Sequence, residues 1–284
     1  MLYVCPTPIG NLADVTLRVL ETIRHADLVA AEDTRRTRKL LAHYQISKPL
    51  VSFHEHNELR RLPLLIKRLQ SDEVIALVSD AGMPGVCDTG YRLVKTAIHE
   101  GLPVEVLPGP SAIETALVAS GLPTDSFIFL GYLPRRPGEL GKSLAQVAGQ
   151  ARTSVAFESP LRLRATLSRA AAVLGGRQMA VCRELTKKHE QILRGSADQL
   201  AGLLPETVKG EIVLVFAGNS RRESCEAAPA AGKPQPPGLE ASIGKMLKAG
   251  LSTRQAADIV SSLAGLPRRE AYRATLAIKK EFNQ

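Results

Sequence analysis

The residues best suited to chemistry lie where an apolar strand meets a glycine-rich loop. Val74–Ser79 is an apolar run typical of a buried strand, and residues 80–90 after it hold two aspartates, one proline and three glycines. Parallel sheets bind ligands at the carboxyl ends of their strands, and glycines there let the backbone approach a ligand closely. We therefore expect Asp80, directly after the strand, to face a ligand crevice.

Two further strands end in junctions of the same kind. Leu2–Cys5 is followed by a loop containing Pro8, Ile9 and Gly10, and Val104–Leu107 is followed by PGPSA, which ends at Ser111 and Ala112. Three such junctions in one half of the chain indicate a ligand cleft rather than ordinary turns.

Charged residues follow the predicted strand Leu28–Ala31. Glu32 and Asp33 stand next to Arg35 and Arg36. A solvated ion-pair cluster is the default interpretation of such a run. Its position at the carboxyl end of a strand favours a functional site equally well.

Several kinds of site are not supported by motif. The chain has neither the GxGxxG spacing of dinucleotide-binding proteins nor a GxxxxGK[ST] phosphate loop. His54 and His56 flank Glu55 without further ligands in suitable positions, so we predict no metal site. The four cysteines are far apart in sequence, which predicts free thiols in a reducing cytosol.

Composition favours a polyanionic partner. The 284 residues carry a net charge of +9, which is typical of proteins that bind nucleic acid or phosphorylated metabolites. Tryptophan is absent and aromatic residues make up 4%, which argues against a single-strand platform of stacked aromatic side chains. No apolar run approaches the length of a membrane span, so we expect a cytoplasmic protein without a membrane partner.

Alternating strand and helix patterns from the start of the chain predict an α/β domain with a largely parallel sheet, and a second α/β domain follows it. We predict a first domain over residues 1–122 and a second over 123–218 that closes the cleft with its strand ends. The predicted strands of the second domain are 126–132, 153–157, 178–182 and 211–216, and residues 133–141 are predicted to be a loop. In the first domain, Asp14 is predicted to cap a helix.

The rest of the chain predicts a linker and a helical module. Residues 219–238 are polar and rich in Ala, Pro and Gly, which is typical of a flexible linker. Residues 239–284 contain three helical segments, with eight Lys or Arg and four Asp or Glu, a net charge of +4. A helix-turn-helix-like RNA-contact module and a packing or dimerisation tail are both compatible with this pattern.

Eight segments, taken in order, carry a family resemblance. They are TPIGNLADVTLRVL (7–20), AEDTRRTRKLL (31–41), SDAGMPGVCDTG (79–90), LPGPSAIETAL (107–117), GYLPRR (131–136), FESPLRL (157–163), CRELTKKHEQILRG (182–195) and GEIVLVFAG (210–218). Together they resemble the 16S ribosomal RNA cytidine 2'-O-ribose methyltransferases of the tetrapyrrole methylase superfamily. The glycine-rich loop departs from the family pattern at Met83, Val86, Cys87 and Thr89.

The resemblance implies two α/β domains with S-adenosylmethionine in the cleft between them, a homodimer, and a helical C-terminal extension. The cofactor contacts that it implies are Pro8, Ile9, Gly10, Asp80, Gly82, Met83, Ser111, Ala112, Phe157, Phe216 and Ala217. The predicted bases or orienting groups for the ribose hydroxyl are Asp33, Glu32 and Asp80. The predicted contacts to 16S ribosomal RNA are Arg35, Arg36, Arg135, Arg136, Arg268 and Arg269.

Two other classes stay open from the residues themselves. A methyltransferase for a corrin precursor would share the fold and cofactor but would need neither the basic tail nor the excess of arginine. A non-catalytic RNA-binding assembly factor would explain the charge but not three glycine junctions around one cleft.

Overall fold

The computed structural model describes residues 1–205, 207–219, 239–264 and 268–282. Its contacts divide the chain into two compact units, a larger one at Met1–Arg222 and a smaller one at Glu223–Gln284. Nearly all of the predicted linker 219–238, with Cys225, lies outside the described residues.

The first half of the larger unit is built on a five-stranded parallel sheet with strand order β3-β2-β4-β1-β5. Its strands are β1 (Leu2–Val4), β2 (Leu28–Ala31), β3 (Leu50–Ser52), β4 (Ile75–Val78) and β5 (Val104–Val106). Its helices are α1 (Leu17–His25), α2 (Thr34–His43), α3 (Glu58–Gln70), α4 (Tyr91–His99) and α5 (Ala112–Ser120).

Both faces of this parallel sheet are buried, as expected when crossover helices cover them. Every residue of β2 and β4 is buried, and separate apolar cores cover the two faces. The cap of α1 differs from the prediction: Thr16 Oγ1, not Asp14, accepts the Val19 N–H at 3.2 Å. Asp14 instead lies in a short 3₁₀ turn, Leu12–Asp14, which Asn11 caps.

The second half has a mixed sheet with strand order β6-β7-β10-β8-β9. Only β6 and β7 are parallel here, so the largely parallel sheet predicted from the start of the chain is confirmed in the first half and does not extend to the second. Its strands are β6 (Phe127–Tyr132), β7 (Thr153–Glu158), β8 (Gln178–Arg183), β9 (Gln191–Ser196) and β10 (Ile212–Phe216). Its helices are α6 (Pro137–Gly149), α7 (Leu163–Leu174) and α8 (Ala197–Leu203).

Helix α6 corrects the predicted loop over residues 133–141. The helix begins at Pro137, where a proline is well tolerated because the first helical N–H has no intrahelical partner. The apolar positions Leu140, Leu144 and Val147 then bury one face of the helix against the second sheet's core.

The two faces of the second sheet have different neighbours. One face is covered by α6, α7 and α8, and the other packs on α5 and Ile9 from the first half. Helix α5 therefore joins the two halves through apolar contact.

The smaller unit is a three-helix module of α9 (Leu239–Lys248), α10 (Thr253–Ala264) and α11 (Arg268–Phe282). Its core contains Ile243, Val260, Ala271 and Ile278. These helices lie close to the predicted segments. Within the described residues of the chain, no helix has the length and apolar character needed to cross a membrane.

Candidate functional site

The three glycine junctions lie together at one edge of the first sheet, because β4, β1 and β5 are neighbouring strands. Thr7 and Gly82 exchange two backbone hydrogen bonds, each of 2.9 Å, and Thr7 Oγ1 donates to the Ser79 carbonyl at 3.0 Å. Pro6 lies so close to Gly109 that a Cβ on that glycine would come within 2.8 Å of the proline ring. The loops thus form one connected surface.

Residues 79–90, called the glycine loop below, need a glycine at position 82. Gly82 has φ of +77°, a conformation that residues with a side chain rarely adopt. A Cβ there would point between Ile9 and the Pro110 carbonyl, 3.6 and 3.8 Å away. The three junctions therefore converge on Gly82, while Met83 packs partly buried against the core below.

Residues 32–36, called the α2 entry segment below, lie beside the glycine loop. The Asp33 N–H donates to Asp80 Oδ1 at 3.0 Å, and the Asp80 N–H donates to Glu32 Oε2 at 3.2 Å. Arg36 Nε lies 3.5 Å from Asp80 Oδ2. The structure thus brings together the three predicted carboxylates, Glu32, Asp33 and Asp80, at the carboxyl ends of β2 and β4.

Asp33 is held by its own helix. Its carboxylate caps α2 by accepting the Arg35 N–H at 2.8 Å, and the Arg35 guanidinium donates to both carboxylate oxygens, at 3.1 and 2.9 Å. These hydrogen bonds from Arg35 lower the pKa of Asp33 to about 2. A carboxylate with so low a pKa is a weak base near neutral pH.

Asp88, a fourth carboxylate on the glycine loop, was not singled out from the sequence. It accepts the Gly85 N–H at 2.6 Å, which closes the loop. Burial raises the pKa of Asp88 to about 6; hydrogen bonds from the Ser79 hydroxyl and Gly85 oppose this rise, and the Glu32 charge adds to it. An aspartate among glycines usually signals only a turn, so the pattern alone could not separate Asp88 from a turn residue.

Gly10 faces the second half of the unit. A Cβ at Gly10 would come within 2.5–2.8 Å of Lys187 Cγ, Thr186 Oγ1 and the Leu185 carbonyl. The neighbouring Asn11 N–H donates to Thr186 Oγ1 at 3.1 Å. Gly10 therefore lets the two halves pack closely, a role separate from the predicted contact with a cofactor.

An aromatic group at the end of the second sheet faces the glycine loop. Phe157 packs against Phe129 and Tyr132, with ring centroids 5.0 and 5.3 Å apart. Cys87 of the glycine loop lies next to this strand, since a Cβ on Gly131 would come within 3.4 Å of the Cys87 sulfur. The predicted contact Phe157 thus lies at the end of the sheet that meets the cleft, and Arg135 and Arg136 follow β6 at this same end.

The start of α5 completes the edge. Ser111 is the residue before the helix, its hydroxyl bonds the Glu114 carboxylate, and Ala112 begins the first turn. Backbone N–H groups at a helix N-terminus favour anionic ligand groups. The predicted contacts Ser111 and Ala112 are therefore suitably placed for a ligand carboxylate.

Phe216 and Ala217 are not brought to this site. Phe216 pairs with Ser154 across the sheet, whereas Phe157 pairs with Val213, three residues or roughly 10 Å away along the strand. The Phe216 side chain is buried in the core under α6, α7 and α8, and the Ala217 N–H donates to the Gln178 carbonyl. Their assignment as cofactor contacts conflicts with this antiparallel register.

The histidines and the tail arginines lie elsewhere. The rings of His54 and His56 are 6.0 Å apart, and among the residues that the structure describes no group of three or more His, Cys, Asp or Glu could hold a metal. In the smaller unit, Arg268 Nε pairs with Asp258 at 2.9 Å and is 80% exposed. The side chain of Arg269 lies outside the described part of the chain.

Comparison with known proteins identifies the family. The family model for tetrapyrrole (corrin/porphyrin) methylases matches residues 1–201. A ribosomal RNA small subunit methyltransferase I from Halalkalibacterium halodurans is 48% identical over 222 residues, 78% of this chain and 77% of that protein. One from Synechocystis sp. is 40% identical over 283 residues, 99% of each chain.

Solved structures agree on the fold. The methyltransferase CobJ has a TM-score of 0.58 and 20% identity, covering 77% of this chain and 94% of its own. Uroporphyrin-III C-methyltransferase from Thermus thermophilus, complexed with S-adenyl homocysteine, has a TM-score of 0.53 and 19% identity, covering 75% and 96%. The chain belongs to the tetrapyrrole methylase family and, within it, to the proteins named ribosomal RNA small subunit methyltransferase I.

Proposed function

We propose that this chain transfers a methyl group from S-adenosylmethionine to the ribose 2'-oxygen of a cytidine in the 16S ribosomal RNA of the small subunit. The observation that carries the proposal is the joined edge of the first sheet. There, three glycine junctions and a carboxylate cluster meet in a methylase fold, in a chain 40–48% identical to proteins named for this RNA.

The residues at this edge fit the cofactor. The sulfonium of S-adenosylmethionine is positively charged, and Glu32 and Asp80 supply negative charge beside the glycine loop. The cofactor would be held by the loop at Pro8 and Ile9, by Gly82 and Met83, by Ser111 and Ala112, and by Phe157 from the second half. When bound, it supplies an activated methyl group.

The protein has two tasks in this reaction. It must hold the ribose oxygen in line behind the methyl group, and it must help the hydroxyl lose its proton. Glu32, Asp33 and Asp80 are held in fixed positions by backbone N–H groups and arginines, which suits them to orient the sugar and hold the loops.

Arginines around the cleft are suited to the RNA backbone. Arg35 and Arg36 lie on the α2 entry segment, and Arg135 and Arg136 follow β6; Arg36 is 63% and Arg136 83% exposed. Guanidinium groups bind phosphates in a bidentate geometry. The helical module, with Arg268 and Arg269, would add further phosphate contacts.

The domain assignment accompanies this function. Residues 1–122 would carry most of the cofactor site, 123–218 would close it, 219–238 would act as a linker, and 239–284 would contact RNA. The enzyme would work as a homodimer in the cytoplasm, where assembled small subunits are found.

The test is methyl transfer with labelled cofactor to assembled small ribosomal subunits. A ribose 2'-O-methyl group blocks alkaline cleavage of the next phosphodiester bond, so hydrolysis should leave one labelled dinucleotide that begins with cytidine. Label on a base, or transfer only to a tetrapyrrole, would contradict the proposal.

The contribution of the tail is tested separately. Truncation after Asn219 should leave cofactor affinity unchanged and weaken RNA binding. Replacing Arg268 and Arg269 together with Gln should lower the slope of log affinity against log salt by about one to two, since each lost phosphate contact releases fewer counterions. Equal methylation by the truncated and full chains would assign the tail to another role.

A further inference from the structure

Asp88 has a fixed place on the glycine loop. It lies on the glycine loop, its carboxylate accepts the Gly85 N–H at 2.6 Å, and it is only partly buried. The same loop pairs with Thr7 through Gly82, and its Cys87 sulfur would lie 3.4 Å from a Cβ on Gly131 in β6. Asp88 therefore belongs to a loop that contacts the first glycine junction through Gly82 and approaches the end of β6 through Cys87.

The other carboxylates here differ from Asp88 in their partners. Asp33 is bound through both oxygens by Arg35, and Asp80 accepts the Asp33 N–H and lies near Arg36. No Lys or Arg forms an ion pair with Asp88 among the residues that the structure describes. A carboxylate without a cation can bind a proton more readily than one that is paired.

The Glu32 charge near Asp88 favours the protonated form of its carboxyl, whereas the hydrogen bonds donated to it favour the charged form. Glu32 at the end of β2, Cys87 on the same loop and Tyr132 at the end of β6 are the titratable groups that interact with it. None of the three carries a positive charge. Burial and the Glu32 charge raise the pKa of Asp88 to about 6, close to the value that suits a base near neutral pH.

We propose that the Asp88 carboxylate accepts the proton that leaves the ribose 2'-hydroxyl during methyl transfer. The 2'-oxygen forms a bond to the methyl carbon while the carbon–sulfur bond breaks. The electron pair of the carbon–sulfur bond stays on sulfur, which becomes a neutral thioether. The hydroxyl proton moves to an Asp88 oxygen and then to water. The inference rests on the proposed ribose methylation and adds the residue that takes the proton.

Asp88→Asn tests the proposal, with Asp125→Asn, an exposed aspartate in the loop before β6, as the matched control. Single-turnover methylation of small subunits at saturating cofactor should be slower by about 10²- to 10⁴-fold in Asp88→Asn and unchanged in the control. Wild type should lose rate about tenfold per pH unit once the pH falls below the pKa of Asp88, because Asp88 is then protonated, and Asp88→Asn should lack this acid limb.

Two neighbours should move the acid limb in opposite directions. Ser79→Ala removes a hydrogen bond that favours the charged carboxylate, so the midpoint should rise. Glu32→Gln removes a nearby negative charge while keeping an oxygen for the Asp80 N–H, so the midpoint should fall. These two variants decide the question even if Asp88→Asn does not fold.

Opposite shifts and a missing limb support the proposal. The proposal is overturned by an Asp88→Asn rate within about threefold of wild type or by an intact acid limb in that variant. It is also overturned if the midpoint of the acid limb is the same in Ser79→Ala, Glu32→Gln and wild type. Wild-type enzyme that makes no ribose-methylated RNA would overturn the proposed function as well. Wild-type product together with an active Asp88→Asn would overturn only the role of Asp88.

Discussion

The α2 entry segment and the glycine loop each carry an aspartate to the same edge of one sheet, yet the two carboxylates have different properties. Asp33 caps a helix and binds Arg35, and these contacts lower its pKa to about 2. Asp88 lacks a cation in the described structure, and burial raises its pKa to about 6. Position at a strand end therefore does not assign a chemical role; the surrounding charges and the burial do.

This difference divides the work of the site. The Asp33 carboxylate, which caps α2 and pairs with Arg35, holds the backbone in place at every pH above its low pKa. A partly buried and unpaired one can exchange a proton near neutral pH. Substitutions in the two segments should accordingly affect different measurements.

The largest expected effect lies in the glycine loop. Gly82→Val places a branched side chain at φ of +77°, which is strained, and should distort the loop where three junctions meet. We expect cofactor affinity to fall by about 100-fold or more, measured by calorimetry.

Gly101→Val is the matched control for this loss. Gly101 also has positive φ, +68°, with nothing within 4 Å of an added Cβ, and it lies between α4 and the start of β5. The control should lose thermal stability but keep cofactor affinity. Equal affinities in Gly82→Val and wild type would remove the glycine loop from the cofactor site.

A moderate effect should separate two arginines of the α2 entry segment. Arg35 donates to both oxygens of Asp33, whereas Arg36 lies 3.5 Å from Asp80 and is freer to bind a phosphate. We expect Arg36→Gln to lower RNA affinity several-fold and to reduce the salt slope by about one, as filter binding at several salt concentrations would show. Arg35→Gln should lower RNA affinity less than Arg36→Gln does. A larger loss of RNA affinity in Arg35→Gln would show that Arg35 leaves Asp33 to bind RNA.

The smallest expected effect is on stability. A carboxyl whose pKa is lowered on folding stabilises the folded state above the ordinary aspartate value of 3.8, and this contribution is lost as the pH falls towards about 2. Asp33→Asn keeps an oxygen to cap α2 but removes the charge, so its melting temperature should be below wild type at pH 7. The two proteins should converge near pH 2, and a constant difference across this range would contradict the assigned ion pair.

Much of the fold follows from local sequence rules. The first-half strands and their loops were predictable because apolar runs ending in glycine or charged residues mark the carboxyl ends of parallel strands. Helix α6 was missed because Pro137 and Gly138 look like loop residues, although a proline suits the first turn of a helix.

The site was predictable only in part because its remaining features depend on contacts between distant residues. Nothing local at Phe216 reveals that it pairs with Ser154 and lies far from Phe157. Likewise, the environment of Asp88 comes from Glu32 and Tyr132, at the ends of β2 and β6, as well as from Ser79 at the start of its own loop. A charge run such as Glu32-Asp33-Thr34-Arg35 attracts attention, while a single aspartate among glycines does not.

The pH dependence of single-turnover methylation, measured side by side for Asp33→Asn and Asp88→Asn on small subunits, separates the two aspartates most directly. We expect Asp33→Asn to keep the acid limb of wild type, because Asp33 orients the sugar and does not accept the proton, while Asp88→Asn is slower by about 10²- to 10⁴-fold and has no limb. The opposite result, a lost limb in Asp33→Asn and an intact one in Asp88→Asn, would contradict the proposed role of Asp88 and make Asp33 the base.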